Sequence, residues 1–320
     1  MYNNEQKQSY IYACLENRTS SEQIKRISVL FKRIEDKEEM LSKDVSDMDV
    51  AEIKGLYDSD AFKSASAHIS LCILKSYAAW CVRNGFSEPA GLSVFTPDDI
   101  EDIRNSMVSG DRHLNAYLSQ TLSPIEEGTA DNLIRALFWM VFAGVQPHDA
   151  ECVAASDVNI PERTVTVRGK QHLLSPLAMP AMDFALHADC ISIEHPQYKF
   201  RKRASGDCVL RGTSGVIRLK DVRSRLNRIK KDHEISEKPY QNLTLTSVYK
   251  SGLFSDMYTR ERAGFPPDFA NDAEYLMEFR SDTFGERYEL YGNDYSDIYR
   301  KRLSTRLLEE YSEWKLAFVQ

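Results

Sequence analysis

The sequence contains no apolar run approaching the roughly 20 residues that a bilayer-spanning helix needs. Its first residues, MYNNEQKQSYIY, lack the basic-then-apolar order of an export signal, so cytoplasmic residence is expected. Cysteine is sparse and scattered: positions 14, 72, 81, 152, 190 and 208 form no CxxC pair, and no histidine lies at metal-ligand spacing from two of them. No disulfide, metal or cofactor is expected. The thiols, Cys72 and Cys81 in particular, read as reduced core residues. There is no internal repeat and no low-complexity tract.

What is present is an ordinary globular balance, 42% hydrophobic and 28% charged. The length of 320 residues suits two domains, at roughly 100–200 residues each. Charge is segregated. The whole chain carries −7, but residues 199–231 hold a net +10 and the remainder −17. The overall acidity argues against a nucleic-acid partner, whereas a local field of this size argues for one.

The expected fold is mainly α with a small β-sheet. Ser20-Ser21-Glu22 starts a helix, and Asp47 or Asp49 caps another with Ile53 and Leu56 inward. Residues 61–84 carry apolar side chains at helical spacing, closed by Gly85. Thr96-Pro97-Asp98-Asp99 predicts a further helix start. Proline, glycine and acids from Ser123 to Gly128 mark a junction, giving a helical domain over 1–122 and a second domain over 123–320. In the latter, 129–143 reads as a buried helix. Arg163–Arg168 alternates as a strand before the turn Gly169-Lys170. Helices are expected over 216–229, 244–258, 272–279 and 294–318.

The stretch Thr129–Leu177 resembles the first motif region of the tyrosine recombinase (phage integrase) family. There a buried helix ends in a Gly-aliphatic-Arg turn, an acid follows three residues on, and a small sheet carries a Gly-Lys turn. Here these are Gly144-Val145-Gln146, Asp149, the strand 164–167 and Gly169-Lys170, with 24 residues from Gln146 to Lys170. Tyr77-x-x-Trp80-Cys81-x-x-Asn84-Gly85 resembles that family's helical, SAM-like core-binding domain. The resemblance implies a core-binding domain followed by a recombinase-like catalytic-fold domain, clamped around duplex DNA.

The departures bear on chemistry. The family holds the scissile phosphate with two arginines and a histidine or tryptophan while a tyrosine attacks it. The first arginine falls on Gln146. The His-x-x-Arg motif falls on Thr246-Ser247-Val248-Tyr249, and the third position falls near Asp272. Only Lys170 of the clamp is retained. Transfer at a phosphodiester gathers negative charge on the non-bridging oxygens, which bidentate arginine meets and glutamine does not. Loss of one such stabiliser commonly costs roughly 3–4 kcal/mol of barrier. An inactive fold is therefore expected, although a C-terminal tyrosine such as Tyr288 could be imagined as nucleophile.

Binding does not need those groups. Candidate DNA contacts are Lys170, the basic run Arg201, Lys202 and Arg203, Arg211, the helix bearing Arg218, Lys220, Arg223, Arg225 and Arg228, and Tyr249 with Lys250. On the helical domain they are Lys75 and Arg83. The competing reading of the basic helix is a solvated face whose cations pair with acids. By resemblance the chain is similar to the integrase-fold repressors of temperate Bacillus phages. That implies a sequence-specific repressor governing lysogeny, bound to DNA in the host nucleoid, with itself or a regulatory peptide or protein as further partner. Rival readings are a divergent active recombinase using Lys170, Lys250 and a tyrosine, an accessory factor for a partner integrase, and a protein-interaction module without DNA binding.

Overall fold

The computed structural model describes residues 2–17, 19–59, 62, 67–98, 100–193, 199–232, 243–268 and 296–319, with backbone alone for 228–232 and 296–302. Asp272, Tyr288 and the expected helix over 272–279 lie outside the described residues, as do the side chains of Arg228, Lys230 and Lys231. Among the described residues no helix is long and apolar enough to cross a membrane.

Packing divides the chain into two compact units, Met1–Ile103 with Asp256–Gln320, and Arg104–Ser255. This differs from the expected division at 122/123, because residues 104–122 pack with the second unit and 256–320 with the first.

The first unit is helical: α1 (Asn4–Glu16), α2 (Ser21–Leu41), α3 (Val50–Tyr57), α4 (Ala67–Arg83), α5 (Gly91–Val94) and the start of α6 (Ile100–Ser106). Ser20 caps α2, accepting from the Gln23 amide, and Asp49 caps α3 in a reciprocal box with Glu52. Gly85, at φ +72°, ends α4, with the Phe86 amide reaching back to the Cys81 carbonyl. The Thr96 expectation is corrected. Helix α6 begins at Ile100, after a turn in which the Ile100 amide donates to the Pro97 carbonyl.

Phe31, Ile34, Met48, Ile53, Leu74 and Tyr77 centre the core. Tyr10, Phe31, Tyr77 and Trp80 meet there, with the Tyr10–Tyr77 centroids 5.3 Å apart in edge-on geometry. Beside these rings lies a buried polar network invisible to periodicity. Lys7, fully buried, pairs with Glu38 and approaches Asp44 at 3.7 Å. Glu38 also accepts from the Val45 amide, and Asp44 from Tyr77 Oη.

The C-terminal helix, α13 (Ser296–Phe318), packs along α4. Tyr311 and Trp314 are buried, Cys72 Sγ donates to the Ser312 carbonyl, and His68 faces Glu313 at 3.3 Å. This contact joins α13 to the first unit. The six cysteines are free. Cys81 is buried as expected, but Cys152 and Cys190 are exposed and are not core residues.

The second unit is built around α8 (Asp131–Phe142), almost every residue of which is buried. Around it stand α7 (Asp111–Thr121), the short α9 (Pro147–Ala150), α10 (Met179–His187), α11 (Leu219–Asp232) and the first part of α12 (Leu245–Arg262). Strands β1 (Val158–Asn159), β2 (Thr164–Val167) and β3 (Lys170–Leu173) form an antiparallel sheet in that order. The β2–β3 turn is Arg168-Gly169, both at positive φ (50° and 79°), the geometry that two-residue hairpins favour. Strands β4 (Cys190–Ser192) and β5 (Phe200–Lys202) form a separate ribbon that the sequence did not announce.

Gly252 sets how closely α12 approaches α8. A Cβ placed there would collide with the Phe142 carbonyl. Gly252→Ala is therefore expected to force the helices apart and to lower stability by about 1–3 kcal/mol, read from the urea midpoint.

Candidate nucleic-acid interface

The Gly252 contact has a local consequence. Tyr249 lies one turn earlier on α12, and the turn after α8 contains Gly144 (φ +95°), two residues before Gln146. Gln146 Nε2 donates to Tyr249 Oη at 3.2 Å. Two positions 103 residues apart in sequence thus meet where the family resemblance places its two arginines. Neither side chain carries charge. Tyr249 is buried, and burial pushes its phenol up well beyond the ordinary range, with Asp149 adding to the rise and Gln146 opposing it. The phenol keeps its proton at neutral pH, so it can donate a hydrogen bond but is not poised as a nucleophile.

Around this pair, Asp149 is engaged by Arg168 at 2.7 Å and lies 3.4 Å from His148. Arg168 was not picked out from the sequence as a site residue, yet it is exposed at the hairpin turn beside the exposed Lys170. His172 packs against the Gly144 turn, its Nδ1 3.2 Å from the Ala143 carbonyl oxygen, and burial holds its ring below the usual histidine range. At the start of α12, Thr244 accepts from the Ser247 amide at 3.1 Å and is the cap. Thr246 is exposed and Lys250 half-buried.

The basic segment splits into two groups. Arg203 is buried, and its guanidinium donates to the carbonyls of Phe184, Ala185 and Ala188 at the end of α10, and to those of Val209 and Arg211. A cation there satisfies the open carbonyls of a helix terminus. Arg203 is thus withdrawn from the expected DNA contacts, because its donors are spent inside the fold. Arg225 forks onto Asp131, with Nε at 3.1 Å from Oδ1 and Nη2 at 3.2 Å from Oδ2. Burial works to raise the Asp131 carboxyl, but Arg225 and the Ser123 amide outweigh it and hold it below its usual range. Arg211 is half-buried, with Nε enclosed.

The second group faces outward. Val222 and Leu226 turn α11 inward, which leaves Arg218, Lys220 and Arg223 exposed. Among the described residues these three form no ion pair with an acid, nor do Arg201 and Lys202 on the β5 edge. Phe200 stands beside them, 65% exposed. The start of α11 is already met by acids, since the Leu219 amide donates to Glu151 and the Arg218 amide to Asp221. The first amides of α11 are therefore already spent on carboxylates, and the outward positive charge of the segment lies in its side chains. In the first unit, Arg83 is exposed at the end of α4 and Lys75 half-buried on it.

This sorting predicts different stabilities. Arg225→Ala leaves the buried Asp131 without its fork and is expected to cost about 1–2 kcal/mol. Lys220→Ala and Arg223→Ala are expected to stay within about 0.5 kcal/mol of wild type. Urea denaturation of the three variants checks the difference.

Residues 1–83 match the family model described as the N-terminal core-binding domain of MrpR. No curated protein matches the chain. Among solved structures, a match is the crystal structure of XerA recombinase, 14% identical, covering 91% of this chain and 98% of that one with a TM-score of 0.35.

Proposed function

We propose that the chain is a sequence-specific DNA-binding protein that holds duplex DNA in a recombinase-like scaffold without cutting it, and that it acts as a transcriptional repressor in a phage or prophage. The carrying observation is the Gln146–Tyr249 contact: the two positions come together, and neither brings a cation to a transferring phosphate. The core-binding match over residues 1–83 supports a DNA partner. The outward cations Arg201, Lys202, Arg218, Lys220 and Arg223 supply a phosphate-binding surface. Lys170 and Lys250 belong to the same reading as contacts near the degenerate site.

A repressor that keeps the grip and lacks the chemistry occupies sites near promoters and lowers their transcription. Mapping of bound fragments in cells, with a reporter fused to each bound promoter, tests this. The expected result is a shared sequence motif, reporter output that falls with the protein present, and loss of both in the Lys220→Ala/Arg223→Ala variant. Occupancy confined to recombination junctions, with reporters unmoved, would assign the accessory-factor role instead.

A further inference from the structure

The basic helix α11 meets the rest of the second unit along a narrow apolar seam. Among the described residues its buried side chains are Val222 and Leu226, one turn apart. Apolar burial is non-directional, so a seam of two residues leaves the helix free to slide and roll. Two carboxylates supply the direction. Glu151 accepts from the Leu219 amide at 2.6 Å, and Asp131 takes the Arg225 fork through both oxygens. The tie points, at 219 and 225, lie about 9 Å apart along the helix axis. Asp131 stands at the start of α8, the buried core helix, and its side chain is 4% exposed. It also accepts from the Ser123 amide at 3.1 Å. An arginine that left this carboxylate for a phosphate would strand a buried charge. A bidentate pair fixes geometry as well as energy, so the fork holds α11 in both position and rotation. Lys220 and Arg223 on α11, and Arg218 just before it, are exposed and move with it.

We infer that Arg225 and Asp131 are positioning residues for DNA binding: their fork sets the register of α11, and Arg225 itself makes no DNA contact. This rests on the proposed DNA-binding reading and adds to it how the outward cations are aimed. Phosphate contacts fix a protein's register on a duplex. A specific complex needs those contacts and the base contacts at once, whereas a nonspecific complex tolerates a displaced helix. Loosening the fork should therefore cost discrimination rather than general affinity.

Fluorescence anisotropy of the full chain on two duplexes of equal length tests this. One duplex is selected by the wild type from a random pool, and the other is its scrambled counterpart. Asp131→Asn and Arg225→Lys should each weaken binding to the selected duplex about tenfold or more. Binding to the scrambled duplex should change little, and the double variant should lose no more than either single one. Partial unfolding would lower both affinities alike and leave their ratio unmoved. Were Arg225 a phosphate ligand, removing the negative charge of Asp131 would instead tighten binding to both duplexes. The inference is overturned if Asp131→Asn binds the selected duplex as wild type does, or more tightly. Lys220→Ala/Arg223→Ala, measured alongside, separates the two readings. If it weakens binding while Asp131→Asn does not, the positioning role fails and the DNA-binding reading stands. A wild type that binds neither duplex at low salt sinks both.

Discussion

Lys7→Met is expected to destabilise the protein by about 3–5 kcal/mol, because removing one partner of a buried ion pair leaves the other charge unmet. The lysine is wholly buried, its ammonium on Glu38, 3.7 Å from Asp44 and 5.3 Å from the centre of the Phe31 ring. Methionine fills similar space but leaves two carboxyls facing each other. The loss should depend on pH. Burial pushes the Glu38 carboxyl up to about 7, with Lys7 and the Val45 amide pulling it down. Without Lys7 the carboxyl rises further. A carboxyl whose folded pKa lies above its unfolded value binds more protons in the native state. Its contribution to stability is therefore lost as pH rises from the unfolded value, about 4.3, through the folded one. Urea titrations at pH 5 and pH 8 should show the variant's deficit larger at pH 8. A Lys7→Met protein as stable as wild type at pH 8 would mean that the network does not hold this unit together.

Replacing Arg201, Lys202, Lys220 and Arg223 together by alanine is expected to weaken DNA binding about a hundredfold or more at low salt. It should also flatten the dependence of log K on log salt by about 3–4, as each lost phosphate contact removes about 0.9 from the slope. All four side chains are exposed and none packs in the core, so the fold should survive, as circular dichroism would confirm. Phe200→Ala on the same ribbon should behave differently, lowering affinity with the slope unchanged, because an aromatic contact releases no counterion. Fluorescence anisotropy across a salt series separates the two. An unchanged slope in the quadruple variant would move the DNA-binding surface elsewhere on the chain.

Much of the scaffold was legible because its signals are local. The caps at Ser20 and Asp49, the stop at Gly85 and the alternation before Gly169-Lys170 each depend on residues a few positions apart. What was not legible depends on partners distant in sequence. Lys7 and Arg203 look like surface cations by type and by neighbours. Lys7 becomes internal only because α2 brings Glu38 to it, and Arg203 because α10 ends beneath it. Arg225 has the same spacing as its exposed neighbours, yet it turns to Asp131, 94 residues away. The packing of α13 on α4 likewise follows from Tyr311 and Trp314 finding a face that no local pattern names. The resemblance sets Gln146 and Tyr249 each at an arginine position of the family, but their contact, and the close approach of helices at Gly252 beside it, have no local signal.

The most direct test of DNA binding without strand cleavage uses a nicked duplex substrate of the bound sequence, which traps any covalent intermediate. The protein should retard this duplex in a native gel, release it as salt is raised, and leave no protein-linked strand after denaturation in SDS. An SDS-resistant adduct through a tyrosine, or no retardation even at low salt, would contradict the account.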